Sequence, residues 1–246
     1  MSMKKRISVA MATYNGEKYI KEQLETILAC LNGEDEIVIS DDGSKDATRA
    51  VIDSVDFGPV TCRVIEGPHR GVKQNFAHAI AACEGRYIYL ADQDDVWDPR
   101  KVELTLPILE GGCHLLCHDA VVKNGDLSEV IMPSYFAYRG SAPGFWHNLK
   151  KNGYMGCAMA FSAELVPYIL PVPDDIEMHD WWIGCINDLR FHDTVFLPEQ
   201  LLSYRRHEST VTDFSRNSLP VMIKNRLVFF VHILQNCYAK RHSALT

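Results

Sequence analysis

The sequence predicts an α/β fold: a mostly parallel, Rossmann-like sheet flanked by helices, with a mixed second half and a C-terminal helix. Three observations carry this expectation. Short apolar runs at Ile7–Ala12, Glu36–Ser40, Cys62–Ile65 and Tyr87–Ala91 have the length and continuity of strands buried on both faces. Segments with helical spacing separate them, as parallel neighbours require. Acidic turns, Asp41-Asp42-Gly43-Ser44 and Asp92-Gln93-Asp94-Asp95, directly follow two of the runs, at the strand ends where open sheets bind their ligands.

The first run breaks at Thr13-Tyr14-Asn15-Gly16, a turn. Ile20, Leu24, Ile27, Leu28 and Leu31 then recur at helical spacing, with Gly33 as a stop. After the second strand, Asp46–Val55 forms a helix, Cys62–Ile65 a third strand, Val72–Cys83 a third helix and Tyr87–Ala91 a fourth strand, joined by right-handed crossovers. Asp98-Pro99 starts another helix, and Leu115–Val122 is a strand leading to an Asn124-Gly125 turn. Beyond it, Gly156–Ser162 reads as a small-residue strand, Ala163–Leu170 as a short helix and Asp180–Leu189 as a helix carrying Trp181 and Trp182. Thr194–Leu197 and Leu201–Arg205 read as two strands, and Leu219–Tyr238 as a terminal helix. With no internal repeat or low-complexity linker, residues 1–246 form one domain with parts at 1–98, 99–218 and 219–246.

Composition bounds the partners. Apolar residues are 47% of the 246 and charged ones 23%, an ordinary globular mixture. A net charge of −7 argues against a nucleic-acid partner. No run approaches the ~20 apolar residues that span a bilayer. The basic start Met1–Arg6 is followed by too short an apolar run for a signal peptide, so a cytoplasmic protein is expected. The eight cysteines include no CxxC pair and read as reduced core residues. Cys113, His114, Cys117 and His118 have zinc-ligand chemistry, but their apolar neighbours make a buried strand the simpler reading.

The densest chemical signal is Tyr89-Leu90-Ala91-Asp92-Gln93-Asp94-Asp95-Val96-Trp97. Packed carboxylates repel, and a hard divalent cation, magnesium or manganese, offsets that repulsion while binding a substrate's phosphates. A solvated loop capping the next helix through Asp98 is the plainer alternative. In the Asp41-Asp42-Gly43-Ser44 turn, a carboxylate can accept hydrogen bonds from a base or ribose, or the turn can simply cap a helix through Ser44 or Asp46.

Taken in order, Ile7-Ser8-Val9-Ala10-Met11-Ala12-Thr13-Tyr14-Asn15-Gly16, Asp41-Asp42-Gly43-Ser44-Lys45-Asp46 and Ala91-Asp92-Gln93-Asp94-Asp95-Val96-Trp97 resemble the family 2 glycosyltransferases of the GT-A fold. The last segment most resembles bacterial rhamnosyltransferase-like members that build surface polysaccharides. The resemblance implies that Thr13, Tyr14, Asn15 and Asp41 hold the nucleoside of a nucleotide-sugar donor, UDP- or dTDP-linked. It makes Asp92 and Asp94 the DxD motif, with Asp94 a direct ligand of Mg2+ or Mn2+. Arg70, in Pro68-His69-Arg70-Gly71, stands where the family reaches the donor, although His69-Arg70-Gly71 departs from the usual Asn-x-Gly pattern; an exposed surface turn is its plain alternative.

Further along, Gly156-Cys157-Ala158-Met159 resembles the segment at the donor sugar and acceptor, and His179-Asp180-Trp181-Trp182 the motif that supplies the base. Asp180 is the expected catalytic base of an inverting transfer, a role compatible with capping its helix. Tyr204-Arg205-Arg206-His207 resembles the family's Tyr-Arg-x-His segment, which implies that His207 completes the metal site or contacts the diphosphate, a structural or exposed histidine being the plain alternative; Arg205 or Arg206 can neutralise the leaving diphosphate. Trp97, Trp181 and Trp182 suit either sugar stacking or the core. The implied layout is a nucleotide-sugar-binding half at 1–98, an acceptor and catalytic half at 99–218 and a helical segment after it.

The implied reaction moves a sugar to a glycan or lipid-linked acceptor in surface polysaccharide synthesis. A nucleotidyltransferase is a rival, yet Thr13-Tyr14-Asn15-Gly16 lacks the glycine-rich phosphate loop it wants. A non-catalytic nucleotide-sugar-binding module would tolerate loss of Asp180, which is present. The terminal helix presents a broad apolar surface, including Ile223, Leu227 and Phe230, flanked by Lys224, Arg226, Lys240 and Arg241. It suits packing on its own domain or in a homodimer, or peripheral contact with an anionic membrane at the inner face of the plasma membrane.

Overall fold

The structure is a computed structural model that describes residues 5–208 and 218–243, with the side chains of 240–243 left out. The basic flanks Lys240 and Arg241 and the start at residues 1–4 therefore lie outside the described side chains. The strands are β1 Lys5–Thr13, β2 Glu36–Asp41, β3 Thr61–Glu66, β4 Gly85–Ala91, β5 Val96–Trp97, β6 Leu115–Asn124, β7 Val130–Met132, β8 Met159–Ser162 and β9 Val195–Arg206. The helices are α1 Ile20–Leu28, α2 Thr48–Asp53, α3 Val72–Ala82, α4 Lys101–Glu110, α5 Tyr135–Arg139, α6 Phe145–Lys150, α7 Val166–Ile169, α8 His179–Arg190 and α9 Leu219–Ser243.

One sheet runs in the order β3-β2-β1-β4-β8-β6-β9-β5, with β7 paired to β6. Its first four strands are mutually parallel, and antiparallel β8 begins the mixed half. This is the expected architecture. Every residue of β2 is buried, as is β1 from Ile7 onward, because α1 and α3 cover opposite faces of a sheet made from continuous apolar runs.

Several expectations are corrected. The two strands expected at Thr194–Leu197 and Leu201–Arg205 are one strand, β9. Its register against β6 jumps from His118↔Leu197 to Asp119↔Gln200, so Pro198 and Glu199 bulge out, as an imide without an N–H requires. The expected Gly156–Ser162 strand starts only at Met159, after a 3-10 turn over Gly156–Ala158. The expected Ala163–Leu170 helix divides into a 3-10 turn at Ala163–Leu165 and α7, with the Ser162 hydroxyl accepting from the Glu164 N–H at 3.2 Å. Cys237 is exposed and so is not a core residue, whereas Cys117, Cys157 and Cys185 are buried.

Helix α8 is the inner support of the second half, with ten of its residues buried. A Cβ on Gly184 would stand 2.2 Å from Tyr154 Cε2. Tyr154 has little room to yield, because its hydroxyl donates to Asp188 Oδ2 at 2.7 Å while Thr194 Oγ1 donates to Asp188 Oδ1 at 2.7 Å. Gly184→Ala is therefore expected to destabilise the protein by about 1–3 kcal/mol through overpacking. Thermal unfolding would read this as a fall of several degrees, and an unchanged midpoint would contradict the tight fit.

Helix α9 packs by one edge. Phe229 and Ile233 are buried, the Phe229 ring lies parallel to Trp181 at 3.9 Å, and Asn236 Nδ2 donates to the Tyr168 carbonyl at 2.9 Å. Its outer side leaves Ile223, Leu227, Val231 and Leu234 exposed. No described helix is long and apolar enough to cross a membrane.

Candidate functional site

Parallel registry brings the site together. Thr13 at the end of β1 lies opposite Asp41 at the end of β2, and Met11 lies opposite Ala91 at the end of β4. The loops that follow these strands therefore open on one edge of the sheet, into a wide cleft. Thr13, Tyr14, Asn15, Arg70, Asp92, Asp94, Asp180 and His207 all line it.

The loop after β1 is held rigidly. Gln93 Oε1 accepts from Thr13 Oγ1 at 2.5 Å and from the Tyr14 N–H at 2.9 Å, and its Nε2 donates to the Tyr14 carbonyl at 3.1 Å. Gly16 is needed for this clamp, since a Cβ there would fall 2.3 Å from Gln93 Oε1. Asn15 takes a left-handed φ of 50° and is tied to the second loop: its N–H donates to Ser44 Oγ at 2.9 Å and its Oδ1 accepts from the Lys45 N–H at 2.8 Å. Tyr14 stays half exposed above this frame.

Asp41 does not line the cleft. It is fully buried, its Oδ1 accepts from the Ser44 N–H at 3.0 Å and the Ser44 hydroxyl at 2.6 Å, and Arg49 pairs with Oδ2. Burial pushes this carboxyl up, but Ser44 and Arg49 outweigh burial and hold it below the usual carboxylate range. Asp42 faces the cleft instead. Its two oxygens accept from the His69 N–H at 2.6 Å and the Gly71 N–H at 2.8 Å, shaping the loop that carries Arg70. Arg70 itself pairs with Asp174, so it bridges this loop to the segment leading into α8.

The acidic loop after β4 concentrates negative charge. Desolvation deep in the cleft, followed by the charge on Asp94, pushes the Asp92 carboxyl up to about 7. Asp95 points inward, where it is fully buried and its Oδ1 accepts from the Arg205 N–H at 2.9 Å; burial, then Asp94 and Asp92, raise its carboxyl well above the ordinary range. Asp94 Oδ2 meets His207 Nε2 at 2.8 Å, and the His207 ring lies against Tyr19 at 4.8 Å. Asp92, Asp95 and Cys157 bring ligand atoms within 4.8 Å of one another, the one such grouping among the described residues. Burial raises the Cys157 thiol, so the hard-cation donors here are the carboxylates and the imidazole. Like charges crowded around an imidazole fit a magnesium or manganese ion, whose charge would offset their repulsion.

Under this loop lies a buried cation that sequence reading missed. Lys101 Nζ donates to the Cys157 carbonyl at 2.9 Å and sits 3.8 Å over the Trp97 ring, and burial lowers its ammonium to about 8. Trp97 and Trp182 are thus core residues, while Trp181 is buried but lines the cleft. Arg205 is committed to the protein: it donates to the Asp94 carbonyl at 2.7 Å, the Gly125 carbonyl at 2.8 Å and Glu22 at 2.6 Å. These bonds fasten the acidic loop to Gly125 and Glu22 at the cleft wall. The Cys113, His114, Cys117 and His118 set does not converge, because His114 bonds Asp193 at 2.6 Å and stacks on Phe191, whereas His118 is buried and bonded to the Asp119 carbonyl.

Asp180 stands in the first turn of α8. Its Oδ1 accepts from Asn152 Nδ2 at 3.1 Å and from the Trp181 N–H at 2.6 Å. Burial outweighs these bonds and raises the carboxyl to about 6. A carboxylate poised near neutrality at a cleft wall is suited to taking up a proton. Asn152 is positioned by Arg139 of α5, which donates to the Asn152 carbonyl at 2.6 Å. Neither residue was singled out from the sequence, since α5 is too short to show a period.

A family model described as "Glycosyl transferase family 2" matches residues 8–169. An uncharacterized glycosyltransferase of Nostoc sp. is 27% identical over 82% of this chain and 65% of its own length. The dTDP-rhamnosyl transferase RfbG of Shigella flexneri is 25% identical over 81% of this chain and 72% of its own. The chain thus spans about two thirds of the length of these relatives. Among solved structures, S. aureus TarS 1–349 in complex with UDP-GlcNAc superposes with a TM-score of 0.68 at 16% identity, covering 93% of this chain and 66% of that one. The mannosyltransferase PcManGT from Pyrobaculum calidifontis, in complex with GDP-Man and Mn2+, gives 0.60 at 16% identity over 95% and 65%. At such identity these two likenesses establish a shared fold.

Proposed function

The chain belongs to glycosyl transferase family 2, and from that membership we propose that it transfers a sugar, with inversion, from a nucleotide-sugar donor to a glycan or lipid-linked acceptor in surface polysaccharide synthesis. The observation that carries the proposal is one cleft holding both an acidic loop with a histidine and a buried carboxylate raised toward neutrality. The clamped Thr13-Tyr14-Asn15 loop and the loop braced by Asp42 hold the nucleoside, and Arg70 faces the diphosphate. Asp41 acts at one remove by fixing Ser44, on which Asn15 rests.

Asp94 and His207, with Asp92 beside them, would hold the magnesium or manganese ion. When bound, the ion supplies positive charge against the diphosphate as it departs. Asp180 takes the proton from the acceptor hydroxyl as that oxygen attacks the sugar carbon on the face away from the diphosphate. Asn152 and the Trp181 N–H hold the carboxylate still for that transfer. A rhamnosyl donor is the specific proposal, supported by the Ala-Asp-Gln-Asp-Asp-Val-Trp segment and by the likeness to RfbG, with UDP- and dTDP-linked sugars as the donors to screen.

The raised Asp180 carboxyl gives a signed pH dependence. The base must be ionised to act, so kcat/KM is expected to be level above about pH 7 and to fall roughly tenfold per unit below about 6, with Asp180 at about 6 setting the break. A pH–rate profile checks this. An acid limb breaking near 4, the ordinary carboxylate range, would contradict a buried base.

A further inference from the structure

We propose that the His179 imidazole hydrogen-bonds a hydroxyl of the donor's transferred sugar and so selects among donors, an inference that rests on the glycosyltransferase reading above. His179 lines the cleft yet is 97% removed from solvent, with 3% exposure remaining. Neither its Nδ1 nor its Nε2 has a hydrogen-bond partner. Buried imidazoles that serve only the core are ordinarily satisfied within the protein. His118 differs in degree: it is fully buried, does not line the cleft, and spends its Nδ1 on the Asp119 carbonyl, leaving only Nε2 without a partner.

The ring is fixed rather than loose. It stacks on Phe76 of α3 with centroids 4.3 Å apart and planes at 23°. Burial and, secondarily, the Lys73 charge lower its conjugate acid to about 3, so the ring is neutral, with one nitrogen donating and the other accepting. A sugar hydroxyl both donates and accepts and matches either nitrogen. Lys73 is not the partner: its ammonium donates to the Asp174 carbonyl at 2.7 Å and to the Ile176 carbonyl, and makes no bond to the ring.

Gly156 keeps any side chain off the imidazole. A Cβ there would stand 2.9 Å from His179 Nε2 and 3.6 Å from Asp180 Cβ, so any side chain at 156 would fill the ground between the imidazole and the base. His179 lies between α3, whose N-terminal loop carries Arg70, and Asp180, whose carboxylate turns to Asn152. That is the donor side of the base, which assigns the hydroxyl to the donor sugar rather than to the acceptor.

Calorimetry in manganese without acceptor tests this, using UDP-, GDP- and dTDP-sugars and the free diphosphates. His179→Phe keeps the ring stack and removes both nitrogens, and His179→Gln restores a donor and an acceptor. The expected result is that His179→Phe weakens the wild type's preferred nucleotide sugar roughly 10-fold or more and flattens discrimination among sugars. Free diphosphate should bind unchanged, and His179→Gln should recover part of the loss. Unchanged nucleotide-sugar affinity would overturn the inference. So would an equal loss for free diphosphate, which marks a structural residue. If the wild type binds free diphosphate but no sugar nucleotide, or binds neither, the glycosyltransferase reading itself fails.

Discussion

Asp180→Asn is expected to lower sugar transfer by roughly 100-fold or more while leaving nucleotide-sugar affinity intact. The amide is close to the carboxylate in shape and keeps an oxygen for Asn152 Nδ2 and the Trp181 N–H, so the fold of the first turn of α8 should survive. What it loses is the ability to accept the acceptor's proton. A second sign follows from the raised carboxyl: the residual activity of the variant should no longer break near pH 6. Initial rates with saturating donor, together with donor titration, separate the effects. Wild-type turnover in the variant would remove Asp180 from the chemistry.

Asp94→Ala is expected to abolish the metal-dependent part of diphosphate binding. Wild type should bind UDP or dTDP about 100-fold more tightly in manganese than in EDTA, and the variant should bind both equally weakly, because metal charge against the diphosphate is worth several kcal/mol. Folding should not suffer greatly, since Arg205 fastens this loop through the Asp94 backbone carbonyl and through Asp95 rather than through the Asp94 side chain. Calorimetric titration decides it. Equal wild-type affinity with EDTA and with manganese would defeat the metal assignment and leave His207 as a simple partner of Asp94.

The parallel half was legible because strands buried on both faces are written as unbroken apolar runs, and β1, β2 and β4 are such runs. The second half was less so. Helices α5 and α6 are five and six residues long, too short to repeat a pattern, and β9 hides its continuity behind Pro198. In the site, the acidic turns stood out by residue type and position, and Asp180 through the resemblance of its His-Asp-Trp-Trp segment. Which member of an adjacent pair faces the cleft did not, because neighbouring residues at a strand end point opposite ways. The register turns Asp41 inward to Ser44 and Asp42 outward, and in β9 it buries Arg205 under the acidic loop. Lys101, and any role for His179 beyond its place in the motif, escaped notice for another reason. A buried ammonium and an unpaired imidazole are defined by what surrounds them, and those surroundings come from segments distant in sequence.

Donor turnover tests the central claim most directly. The protein is incubated with manganese and a panel of UDP-, GDP- and dTDP-sugars, and diphosphate release is followed by mass spectrometry, with water standing in for the acceptor. One nucleotide sugar should release its diphosphate slowly, EDTA should stop it, and Asp180→Asn should reduce it by roughly 100-fold or more. Folded protein that releases no diphosphate from any member of the panel, or releases it equally in EDTA and in the Asp180→Asn variant, would contradict a metal-assisted sugar transfer in this cleft.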